Sequence, residues 1–149
     1  MKRATVAKLA SVVIGGAILV QANVAFANRY VNNIRGQLLA AAVLAGIGGA
    51  ELTHEPSINV TNHNTYKIVT FNLRRGYTYH ILGVCDQDCR DLDLKLYDEN
   101  GNLLVQDTRN DDTPWVKVTP RWTGAFAVRV EMHSCYDNPC YYGVGIFGN

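Results

Sequence analysis

Four carboxylates and two thiols crowd the stretch Cys85 to Asp93, CDQDCRDLD. Asp86 and Asp88 lie between Cys85 and Cys89, and Asp91 and Asp93 follow at two-residue spacing. Calcium takes about six to eight oxygen ligands, and loop carboxylates are typical donors. Asp86, Asp88, Asp91 and Asp93, joined by Asp111 and Asp112 from a second polar loop, are therefore candidate calcium ligands. The spacing is not that of an EF-hand, since it lacks the glycine and the closing glutamate at their places in that loop. Without a cation the same residues make a solvated acidic loop at a sheet end. Like charges gathered this closely oppose one another's ionisation, which favours a bound cation.

The thiols have a second possible chemistry. Cys85 and Cys89 bracket three residues, and Cys135 and Cys140 bracket Tyr136 to Pro139. Four cysteines allow three pairings. Local pairing, Cys85 with Cys89 and Cys135 with Cys140, would staple the bases of two loops, and crossed pairing stays open if those loops meet. A zinc site on four sulfurs is the alternative, disfavoured in an oxidising compartment, where an even cysteine count reads as disulfides.

Nothing in the sequence assembles a catalytic centre. His54, His63, His80 and His133 are scattered. Ser134 follows His133 directly, and neighbouring residues on a strand point to opposite faces, so the two are poorly placed as nucleophile and base. No nucleophile elbow, metalloprotease motif or phosphate loop is present. The expectation is a protein that is not an enzyme. Trp122 and Tyr136, both in expected loops, are the candidates for a surface contact with a sugar or a protein.

These residues must be held by strands. Leu92, Leu94 and Leu96 alternate with Asp93, Lys95 and Tyr97, the period-two pattern of a strand with one buried face. Asp98-Glu99-Asn100-Gly101 supplies a turn in which Asn and Gly both tolerate positive φ, and Leu103 to Gln106 is the return strand. Tyr66 to Leu73, Tyr77 to Val84, Trp115 to Thr119, Ala125 to Met132 and Tyr141 to Phe147 read as further strands. Seven or eight short strands at this spacing predict an all-β sandwich over residues 65–149.

The start of the chain differs. Residues 1–27 carry a basic start, an apolar run and Ala25-Phe26-Ala27, which is a secretory signal peptide with its cleavage site. Residues 28–50 read as one apolar α-helix ending at Gly46, Gly48 and Gly49. Its Ala/Gly faces suit packing onto the sandwich, self-association through residues 29–50, or contact with a membrane surface. Residues 51–64 read as a polar linker with room for a short strand at Ile58-Val60. Beyond the signal peptide lie 11 of the 14 basic residues and all 13 acidic ones, a net charge of −2. That balance gives no electrostatic footprint for nucleic acid.

The order of pieces from Thr65 to Phe147 resembles the bacterial pre-peptidase C-terminal domain. The resemblance rests on Phe71 to Tyr79 with its Gly-Tyr, Asp91-Leu92-Asp93-Leu94, Leu96-Tyr97-Asp98, Asn100-Gly101, Asp111-Asp112, and Thr123-Gly124-Ala125-Phe126 leading into Val128-Arg129-Val130. It implies a jelly-roll-like antiparallel β-sandwich, here as a free-standing secreted member preceded by one helix. It also implies a non-catalytic role in secretion or in binding a substrate or matrix, with calcium bound in some members. The expected partner is an extracellular or periplasmic protein or polysaccharide.

Overall fold

The computed structural model describes residues 28–149; the expected signal peptide lies outside the described residues. The chain divides into two compact units, Met1–Asn33 and Ile34–Asn149. Of the first unit, residues 28–33 are described and are helical.

The second unit opens with helix α1, residues 34–44. It stops earlier than the apolar run suggests because Gly46 takes φ +75°. The amide of Gly46 donates to the carbonyl of Val43 and that of Ile47 to the carbonyl of Ala42. These are the two bonds of a Schellman cap, and Ile47 tucks into the apolar cluster beside it.

Nine strands follow: β1 (Glu51–Leu52), β2 (Ser57–Thr61), β3 (Thr65–Leu73), β4 (Tyr79–Cys85), β5 (Cys89–Tyr97), β6 (Leu103–Asp107), β7 (Trp115–Val118), β8 (Gly124–Cys135) and β9 (Cys140–Gly148). Every pairing is antiparallel. One sheet runs β1-β9-β4-β7, with β2 also on β9, and the other runs β3-β8-β5-β6. From β2 onward the chain crosses between the sheets at every step except the β5-β6 hairpin, which is the jelly-roll winding. The stretch expected as a linker holds two strands, β1 and β2, both zipped onto β9.

Between the sheets lies the main core, with Leu92, Leu94 and Leu96 of β5 beside Phe126, Val128, Val130 and Met132 of β8 and packed with Ile81, Val144 and Ile146 of the other sheet. The outer face of the β9-containing sheet is covered by α1. Ile34, Leu38, Ala41 and Ala42 pack against Leu82, Val84 and Phe147. Two glycines of β9 make this approach possible: a Cβ on Gly143 would sit 2.2 Å from Ile34 Cγ2, and one on Gly145 would sit 3.3 Å from Leu38. The outer face of the β3-β8-β5-β6 sheet has no such cover among the described residues of this unit.

The hairpin between β5 and β6 turns where expected, with one refinement. Gly101 takes φ +81° and Asn100 does not, so the turn is a type I turn closed by a left-handed glycine. The Asp98 carboxylate anchors it, with Oδ1 accepting from the amides of Asn100 at 2.9 Å and Asn102 at 2.8 Å.

Candidate binding face

The uncovered sheet face is built by the alternate residues of β3, β8 and β5 that the core does not use. Register places Asp93 opposite Glu131 and Lys95 opposite Arg129, with Tyr66 beside Glu131 on the other flank. Like charges directly opposite one another destabilise a sheet. Here each acid is relieved by a base one step along or across. Lys95 Nζ donates to Glu131 Oε2 at 2.8 Å, and Arg129 Nε lies 2.5 Å from Glu131 Oε1, an ion pair not aligned as a hydrogen bond. His133 Nε2 sits 3.0 Å from Asp93 Oδ2 and 3.3 Å from Glu131 Oε2.

Both carboxylates are buried although they face outward: Asp93 is 5% exposed and Glu131 6%. Burial, reinforced by the charges of Asp91 and Glu131, raises the Asp93 pKa against the opposing pull of His133 and Lys95. Burial alone would raise Glu131 too, but Lys95, Arg129 and His133 together hold it below the usual carboxylate range. Around this charged centre stand exposed apolar groups. Tyr66 is 51% exposed and carries the Arg129 guanidinium 3.8 Å above its ring, and Ile68 is 60% exposed. A depression of about 370 Å³ runs from Ile68 and Arg129 to Tyr97 and Glu99, and a smaller one of about 120 Å³ lies over Tyr66, Glu131 and His133.

Of the six carboxylates read from the sequence, the structure places only Asp93 at this centre. Asp91 is next to it at two β-bulges, where Oδ1 is buried without a hydrogen-bond partner. Asp86 is spent on backbone, accepting from the amides of Tyr141 at 2.7 Å and Asp88 at 3.3 Å. Asp88 gives its carbonyl to the amide of Tyr136. Asp111 accepts from the amide of Thr113 and Asp112 from its hydroxyl, so both shape their own turn. Among the described residues, one group of three side chains has ligand atoms within 4.8 Å of one another: Asp93, Glu131 and His133. Neither Glu131 nor His133 is among the ligands read from the sequence, where His133 is weighed only as a base beside Ser134. The signal was there, an acid and a histidine two apart on one strand face, but it means something only once β8 is paired with β5.

The disulfides are local, Cys85–Cys89 and Cys135–Cys140. Cys89 and Cys135 are cross-strand partners, so the two staples lie side by side at one end of the sheet. His63 serves that end, accepting from the Cys135 amide through Nδ1. His54 and His80 are structural too: His54 contacts Thr53 Oγ1 and the Asn72 carbonyl, and His80 stacks on Trp115. Trp122 turns inward, stacked on Phe126 at 5.6 Å against the core, whereas Tyr136 is 89% exposed in its disulfide loop.

No family model and no curated protein matches the chain. Among solved structures it is similar to a periplasmic inhibitor of g-type lysozyme from Aeromonas hydrophila, at 6% identity and TM-score 0.49 over 64% of this chain and 85% of that one. It is also similar to the pre-peptidase C-terminal domain of a Bacillus anthracis collagenase, at 14% identity and TM-score 0.47 over 62% and 87%. A third is a CBM4 structure, at 15% identity and TM-score 0.41 over 72% and 83%. At such identities these likenesses assign the chain no ligand and no partner.

Proposed function

We propose that the protein is a non-catalytic, exported binding module of the pre-peptidase C-terminal type. It meets a polymer or protein outside the cytoplasm through the open face of the β3-β8-β5-β6 sheet. The observation that carries this reading is the buried Asp93–Glu131 pair, held on a solvent-facing sheet surface by Lys95, Arg129 and His133 and flanked by exposed Tyr66 and Ile68. A charged centre fixed in place beside exposed aromatic and aliphatic groups supplies orientation and contact area together. Two disulfides suit an oxidising compartment and support export.

The test is retention of the mature, oxidised protein on peptidoglycan, chitin, cellulose and soluble polysaccharides. Retention on one polymer, lost in Tyr66→Ala and in Lys95→Glu while the melting temperature holds, supports the reading. No retention on any, or retention that ignores both substitutions, counts against it.

A second reading is self-association through α1. It is favoured by Leu39, Val43 and Leu44, which stand 54%, 66% and 88% exposed on the helix. Sedimentation over a wide concentration range decides it: a dimer abolished by Leu44→Glu supports this reading, and a concentration-independent monomer removes it.

A further inference from the structure

The Asp93–Glu131–His133 group has a geometry that binding through a sheet face does not require. We infer that these three side chains form a site for one divalent transition cation of the Zn2+ class. The inference goes beyond the binding reading and does not depend on it.

Three features of the group point to a cation. The first is spacing. Zinc bonds of roughly 2.0–2.2 Å place neighbouring ligand atoms about 3.3–3.5 Å apart in a tetrahedron. His133 Nε2 lies 3.0 Å from one carboxylate oxygen and 3.3 Å from the other, close to that spacing, and all three ligand atoms lie within 4.8 Å of one another. The second is the state of Asp93. It is 5% exposed, and among the described residues the one side chain that meets its carboxylate is His133, itself a ligand in the proposed site. A buried carboxylate with so little around it is costly unless a cation completes its shell. The third is Asp91, whose Oδ1 is buried without a partner and whose charge bears on Asp93, adding negative potential at the same place.

The donor set selects the ion. An imidazole nitrogen with two carboxylates suits zinc and its first-row neighbours, whereas calcium calls for an oxygen cage. The side chain of His133 is 47% exposed, so the remaining coordination positions open to water. Binding displaces Lys95 from Glu131 Oε2, and its side chain, 23% exposed, lies near the surface where it can turn outward. Arg129 keeps Glu131 Oε1.

The experiment titrates ZnCl2 into the mature, oxidised protein by calorimetry and CoCl2 under visible absorption. The expected result is one equivalent of Zn2+ bound in the micromolar range or tighter, with Co2+ giving the intense d–d bands of a four- or five-coordinate site. His133→Ala and Asp93→Asn are each expected to weaken binding at least tenfold, while His54→Ala leaves it unchanged. His133 is exposed, so its substitution leaves the fold intact and the melting temperature reports this. The proposal is overturned by no binding in that range, by equal affinity in His133→Ala, or by displacement of Zn2+ with an equal concentration of Ca2+.

Discussion

Asp107 and Asp93 are both buried carboxylates of the same sheet, and their surroundings set them apart. Asp107 accepts from Arg109 Nε at 2.9 Å, Arg109 Nη2 at 2.7 Å and the Trp115 amide at 3.0 Å. The Arg109 hydrogen bond, with those from the Trp115 and Arg109 amides, overcomes burial and holds its pKa below the usual aspartate range. A depressed folded pKa contributes stability that is present above the unfolded value and is lost as pH falls through the folded one. Asp107→Asn should therefore cost about 1–3 kcal/mol at neutral pH, seen as a lower urea midpoint. It should also make stability less sensitive to acid below about pH 4. Asp93 is the opposite case. Burial raises its pKa, so the charged form is held at a cost, and that cost is relieved as pH falls. Asp93→Asn should leave unfolding free energy unchanged or raise it by up to about 1 kcal/mol, a pattern expected of residues kept for function. A loss of several kcal/mol in the metal-free protein would show instead that the carboxylate is structural.

At the scale of elements, α1 and β9 fit because each gives way to the other. A Cβ at Gly143 would meet Ile34 Cγ2 at 2.2 Å, and Ile34 is 1% exposed. Gly143→Ala is expected to cost about 1–3 kcal/mol by overpacking, with Ile34→Ala in the same chain recovering part of it. Equilibrium denaturation of the single and double variants checks the coupling; strictly additive losses would contradict the contact. Each disulfide closes only a short loop, so removing Cys135 and Cys140 together as serines should cost about 2 kcal/mol by loss of chain constraint, again read from the urea midpoint. The strands were legible because Leu92, Leu94 and Leu96, or Val128, Val130 and Met132, mark a buried face by simple alternation. β1 was not, since two residues, Glu51–Leu52, carry no period and owe their conformation to β9. The site was only half legible for a related reason. Alternation assigns Asp93 to the outer face, but nothing within β5 says that Glu131 and His133 of β8 come to bury it. Asp86, Asp88, Asp111 and Asp112 looked equivalent to it in sequence, yet turn amides and a turn hydroxyl claim three of the four carboxylates.

The second unit as a whole is a jelly roll with unlike outer faces. One is closed by α1, whose apolar side chains occupy it. The other presents a fixed charged centre with Tyr66, Ile68 and Tyr97 around it. On the proposed reading the open face is the binding surface, and the loops carrying Asp88 and Tyr136 lie outside it. Hydroxyl-radical footprinting of the protein on a polymer that retains it tests this most directly. Protection of Tyr66, Ile68 and Tyr97, with Tyr136 and Leu44 labelled as in the free protein, is the predicted result. Protection of Tyr136 or Leu44 with Tyr66 still fully labelled would contradict it.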